Sequence, residues 1–225
     1  VTREAAADFL AALRTAAPGE ASGRVVELLN DQVDPACIWD GLFGCAGELL
    51  MQQPGIVGLH CVTCTNALYF GYLTSARDET RRYLMLQAGA FLTLFREAMR
   101  SRGKVRDDLR LDALEPADLA DKGPAAVEEI YKVLGSDRVG AARKTLALLQ
   151  SDPAQTGTLM AAGRRLIFAR GTDSHDYKFS SAVLEDCGLI SPGWRETYLA
   201  ANVVNLRSST ARDNPLVERI RAALA

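Results

Sequence analysis

Two histidines occur among the 225 residues of this chain, and each sits in a polar cluster within an otherwise aliphatic sequence. His60 lies in Gly58-Leu59-His60-Cys61-Val62-Thr63-Cys64-Thr65-Asn66. His175 lies in Gly171-Thr172-Asp173-Ser174-His175-Asp176-Tyr177-Lys178-Phe179. Imidazole is the side chain best suited to proton transfer near neutral pH and to binding transition metals, so chemistry is expected in these two segments. In the first, His60 and Cys64 are four apart and share a helix face, with Cys61 on the flank. Such an arc of borderline and soft donors could bind zinc or iron. The plainer reading makes both cysteines small core residues. In the second, an Asp can accept from one imidazole nitrogen and so orient the ring, while His175 and Lys178, three apart, can share a face. The plainer reading there is a solvated helix start, with Asp173 or Ser174 as cap, Asp176 complementing the dipole and Lys178 in water.

Other polar residues stand in apolar surroundings. Glu48 lies in Leu42–Met51, where Gly44 and Gly47 allow close helix approach. A carboxylate is rarely buried unpaired, which leaves three roles for it: a metal ligand, an acid of raised pKa, or the solvated edge of its helix, the last being favoured. Asn66 and Gln87 could hold a substrate or bridge helices, and bridging is favoured. Trp39, Trp194 and Tyr198 read as core or rim aromatics, with Tyr177 available to line a pocket beside His175. The loop Arg207–Pro215, with Arg207 and Arg212, is either an anion clamp or a solvated turn.

The elements that must position these residues are helices. Apolar spacing is helical almost throughout, and no alternating β-branched run appears. The spacing predicts helices over Thr2–Ala16, Ser22–Leu29, Pro35–Gln52, Ile56–Thr74, Asp78–Arg100, Pro124–Leu134, Arg138–Gln150, Pro153–Ala169, Ser174–Asp186, Pro192–Arg207 and Pro215–Leu224. Thr2, Asp78 and either Asp173 or Ser174 serve as N-terminal caps, Pro35 occupies a first helical position, and Arg96, Arg100 and Arg102 suit the C-terminal end of their helix. The third to fifth helices are apolar on more than one face and read as the centre of a bundle. Residues 102–123 form a charged surface crossover that could subdivide the chain. The expected fold is all-α, a single-domain bundle of about nine to eleven helices over residues 1–225.

Composition narrows the classes of function. A formal net charge of −2 gives no global field to attract nucleic acid. No strictly apolar run approaches the roughly 18 residues of a membrane span, and no nucleotide-cofactor motif occurs. A small molecule is therefore the expected partner, with neither nucleic acid nor membrane; the oligomeric state is left open. The five cysteines, Cys37, Cys45, Cys61, Cys64 and Cys187, make an odd set that suits buried thiols in a reducing compartment, the cytoplasm. A chain beginning at Val1 is also what removal of an exported protein's leader would leave.

Two resemblances follow from these motifs. Cys61-Val62-Thr63-Cys64 with Glu48 upstream, in an all-helical setting, looks like the alkylhydroperoxidase D-like family. That likeness implies thiol redox chemistry at Cys61 and Cys64, although Leu68 stands where the family has a histidine. Trp39-Asp40-x-Leu42, His60-x-Val62-Thr63-x-x-x-Ala67-Leu68 and Asp173-x-His175-x-x-Lys178 resemble the questin oxidase-like family, over about a third of the chain. That likeness implies an oxygen-using oxidoreductase acting on a small aromatic or hydrophobic substrate, with iron or another divalent metal at His60, His175 and Lys178. Two histidines cannot build a histidine-rich site, so carboxylates such as Glu48 or Asp173 would have to complete it; two His and one carboxylate is a known iron arrangement. A non-enzymatic helical scaffold is the contrasting expectation.

Overall fold

The structure is a computed structural model and is described for residues 2–225, without the side chain of Thr2; the cap expected there lies outside the described residues. Eleven α-helices are found among the described residues, with no strand. They are α1 (Thr2–Leu13), α2 (Pro18–Asn30), α3 (Pro35–Gln52), α4 (Ile56–Thr74), α5 (Asp78–Arg100), α6 (Gly123–Val133), α7 (Arg138–Ser151), α8 (Thr156–Arg170), α9 (Ser174–Leu189), α10 (Pro192–Val203) and α11 (Pro215–Leu224). Single 3-10 turns occupy Leu111–Ala113 and Pro153–Gln155. The all-α reading is correct.

Local chemistry sets most boundaries. Proline opens α2, α3, α10 and α11, where its missing N–H costs nothing. At α3, Asp34 accepts the Ala36 amide at 2.8 Å, and at α11, Asn214 accepts the Leu216 amide at 2.9 Å. The second helix begins at Pro18 rather than Ser22, because Glu20 reaches back to the Ala17 amide at 2.8 Å and satisfies an N-terminal donor. Asp78 is not a cap: Arg77 holds that position, and Asp78 and Glu79 supply negative charge to the first turn instead.

Helix α3 is the axis of the fold. Every residue from Cys37 to Gln52 is buried. It packs against α1, α4, α5 and α10, while α10 also packs extensively on α7. Glycine permits the closest of these approaches: a Cβ on Gly47 would lie 3.2 Å from Ala201 Cβ and 3.1 Å from Asn202 Nδ2 of α10. One hydrophobic cluster runs from Ala6 of α1 through Trp39 and Phe43 to Leu149 and Leu199, so both sides of the 102–123 crossover share a single core. Trp39, Trp194 and Tyr198 belong to it.

Two helices depart from the expected central role. α4 and α5 bury one side and leave the other uncovered, with Ile56, Phe70 and Leu73 exposed on α4 and Tyr83 and Leu94 on α5. α4 is also long and apolar enough, at a mean hydropathy of 1.2 over 18 residues, to meet the length and composition of a membrane span. A search for consecutive apolar residues misses this, because Gly, Cys and Thr interrupt the run without carrying charge. Only 33% of that window is buried.

Charged residues lock distant helices together. Arg96 does not serve the end of its own helix. Buried, it donates to the carbonyls of Leu13 at 2.5 Å and Ala16 at 2.8 Å, and so satisfies the C-terminal end of α1 with a cation. The crossover is strapped to the core: Gln52 donates to Leu109 O at 2.9 Å, Arg106 N donates to Gln52 O at 3.1 Å, and Arg143 donates to Glu115 O at 3.0 Å. Lys144 adds contacts to Asp118 O and to Glu129.

Candidate functional site

The ring centroids of His60 and His175 are 5.6 Å apart, with the planes at 80°. The sequence separates them by more than a hundred residues; packing of α9 across α4 brings them together. The same crossing continues down both helices. Asn66 of α4 donates to Asp186 Oδ1 at 2.7 Å and to Glu185 at 3.2 Å on α9, so Asn66 is a helix bridge as expected.

The α9 end of the pair is built by its cap. Asp173 Oδ1 accepts the His175 amide at 2.7 Å. The same oxygen lies 3.4 Å from His175 Nδ1, an ion-pair distance with no hydrogen bond to the ring. Asp176 closes the cap from the other side. It accepts the Thr172 amide at 2.8 Å and contacts Arg207, and those partners, Arg207 foremost among the groups that offset its burial, hold it below the usual carboxylate range. The plain capping reading of Asp173 and Asp176 is therefore right, and it does not exclude a role for His175, whose ring the cap leaves unbonded.

His60 is half-buried. Burial, the Lys178 ammonium and His175 together push its pKa down from the ordinary histidine value, which keeps the imidazole neutral at pH 7, the form that accepts a proton or binds a metal. Cys64, one turn on, also feels Lys178, which opposes the larger upward push of burial on its thiol. His60 and His175 therefore meet where α9 crosses α4, and the Lys178 charge acts on both His60 and Cys64. Among the described residues no three His, Cys, Asp or Glu side chains are placed to hold one metal ion; the structure offers a pair of imidazoles, open to solvent on the His175 side.

Glu48 is not brought to that pair. It is also not the solvated edge of its helix, being 3% exposed. Arg14 grips both its oxygens, Nε to Oε1 and Nη2 to Oε2 at 2.8 Å each, and the Leu111 amide donates to Oε2 at 2.7 Å. Held by three hydrogen bonds, Glu48 is a structural anchor for α1 and the crossover, and Asp112 completes the Arg14 cluster.

Other expectations resolve against chemistry. Cys61 is fully buried, donates to Val57 O at 3.3 Å, and burial raises its pKa well above the ordinary thiol value. A reactive thiol needs the opposite shift. Gln87 is exposed and bridges nothing. Arg207 is spent on Asp176 and Thr172, so no clamp forms with Arg212. Tyr177 lines a groove of about 540 Å³ with Phe168 and Leu184, between α8 and α9. At 100° per residue these positions lie on the far side of α9 from His175.

Sequence reasoning missed Asp186. It is fully buried, accepts from Asn66 and from the Tyr198 hydroxyl at 3.0 Å, and burial raises its pKa to about 7 despite both donors. The only sequence signal was position: Asp186 lies three and four residues from the apolar Val183 and Ala182 of α9, on their face. No known protein family, curated protein or solved structure matches this chain.

Proposed function

We propose that this chain is a metal-assisted, oxygen-using oxidoreductase acting on a small aromatic or hydrophobic substrate, with a divalent transition-metal ion held by His60 and His175. One observation carries the reading, the 5.6 Å separation of the two imidazole centroids. Two imidazoles sharing one ion, each with a nitrogen about 2.0–2.1 Å from it, have their centres roughly 5 to 5.5 Å apart. Small side-chain rotations close that difference. Asp173 lies 3.4 Å from His175 Nδ1, and the lowered pKa of His60 keeps its nitrogen unprotonated. With only two side-chain ligands, the remaining coordination positions stay open to water, oxygen or substrate. When bound, the ion would supply Lewis acidity and, as iron, one-electron exchange. Lys178 stands beside the pair as a neighbouring charge, not as a ligand, since an ammonium has no lone pair to give.

Metal analysis of the purified chain after incubation with iron(II), zinc or nickel tests this directly. About one ion per chain is expected in the wild type, with a loss on the order of tenfold in affinity or more for His60→Ala and for His175→Ala. Equal metal content in all three proteins would refute it. A metal-free reading, proton transfer between neutral His60 and His175, draws on the same geometry. It is separated by its indifference to chelators.

A further inference from the structure

Helix α11 carries an apolar stripe that its own chain leaves uncovered. Leu216, Ile220 and Leu224 are four apart and share one face, and they are 50%, 49% and 83% exposed. Among the described residues of α11 none is buried. A helix of this length is marginal in water unless its apolar face is packed, so the stripe calls for a surface to receive it.

A surface of that kind lies between α8 and α9. The groove of about 540 Å³ is walled by Ile167 and Phe168 of α8 and by Tyr177, Ser180, Ser181 and Leu184 of α9. Phe168 is 72% exposed. The α9 residues follow the i, i+3, i+4, i+7 spacing of a helix face that receives another helix. Tyr177 to Leu184 spans about 10.5 Å along its axis and Leu216 to Leu224 about 12 Å, so groove and stripe match in length.

The base of α11 stands at the mouth of this groove. Tyr177 Oη donates to Gly171 O at 3.2 Å, and the side-chain amide of Asn214, the cap of α11, donates to the same carbonyl. Asn214 N donates to Ala169 O at 2.6 Å, and Asn214 Oδ1 accepts the Leu216 amide at 2.9 Å. Arg170 holds the preceding turn through Ala211 O at 2.7 Å and Asp213 at 3.4 Å. These bonds fix the direction in which α11 leaves the fold. Turning back onto its own groove would break them; entering the groove of another copy would not.

We propose that α11 packs into the α8–α9 groove of a second copy of this chain, and that the exchange is reciprocal. Because base and groove adjoin, an α11 seated on its neighbour brings its own groove beside the neighbour's α11, and the contact closes as a two-fold dimer. Half the side of a helix 15 Å long and about 11 Å across is roughly 260 Å². Two helices and two grooves together cover about 1,000 Å², the size at which an interface becomes specific. The groove lies on the far side of α9 from His175, so the dimer does not depend on a metal ion.

Sedimentation equilibrium of the full chain is the test, and a dimer is expected. Ile220→Asp on α11 and Phe168→Ser in the groove should each weaken it at least about thirtyfold. Both side chains are exposed in a single copy, so unchanged circular dichroism spectra serve as the folding control. Under mild oxidation, a mixture of Ile220→Cys chain and Phe168→Cys chain should form a disulfide-linked pair in higher yield than either chain alone. A monomeric wild type overturns the proposal. So does a dimer that both substitutions leave intact, as one held by the uncovered sides of α4 and α5 would be, or one that gives no such link.

Discussion

Arg14 holds Glu48 by two parallel hydrogen bonds of 2.8 Å, and the pair ties the end of α1 to the middle of the buried helix α3. A fork of this kind is the strongest ion-pair geometry available to side chains. Removing one partner strands the other charge away from water.

Arg14→Met should therefore destabilise the chain by about 3 kcal/mol, read from the urea midpoint, since a buried pair broken on one side costs roughly 3–5 kcal/mol and Arg14 retains some solvent contact. Glu48→Gln should also destabilise it, while leaving metal uptake by folded protein unchanged. Loss of metal from folded Glu48→Gln protein would return Glu48 to the ligand set.

Asp186 makes stability depend on pH with an uncommon sign. Its folded pKa is about 7, raised by burial, against an ordinary value of 3.8 in the unfolded chain. Between those values the folded state binds more protons than the unfolded state, so stability is lost as pH rises from about 4 to about 7. The full cost at high pH is on the order of 4 kcal/mol. Asp186→Asn keeps an acceptor and a donor for Asn66 and Tyr198 and abolishes the titration. The difference in unfolding free energy between the variant and the wild type should grow with pH across that window and level off above about pH 8. A flat difference would show that Asp186 ionises as an ordinary carboxylate.

The two cysteines of the Cys61–Cys64 pair should be poor nucleophiles. Burial raises both thiols, Cys61 far more than Cys64. At pH 7.5 the native chain should release colour from a disulfide reagent only slowly, through Cys64, with Cys61 protected until denaturant is added. Cys61→Ser should leave any disulfide-exchange activity unchanged. Rapid reaction of Cys61 in the native state would revive the thiol redox resemblance.

Much of the fold was legible in the sequence because helices are specified locally. Proline at first positions, Asp173 as a cap, and glycine or proline breaks act within a few residues of the boundary they set. The errors came where a distant partner intervenes. Arg96 looked like a residue serving its own helix end, yet it neutralises the carbonyls of α1; Glu48 looked solvated because Arg14 is 34 residues away. The uncovered sides of α4 and α5 were unreadable for a related reason: apolar composition says that a face avoids water, not which neighbour covers it.

The candidate site divides in the same way. The sequence by itself determined that only two imidazoles exist, that His60 stands on a helix with Cys64, and that Asp173 or Ser174 caps the helix carrying His175 and Lys178. Those are consequences of residue type and helical period. Whether the two histidines meet was decided only by α9 crossing α4, a packing outcome fixed by buried contacts such as Asn66 with Asp186 and by the shared core beneath them. The partners of Glu48, Arg14 and the Leu111 amide, were likewise decided by packing and hold it as an anchor.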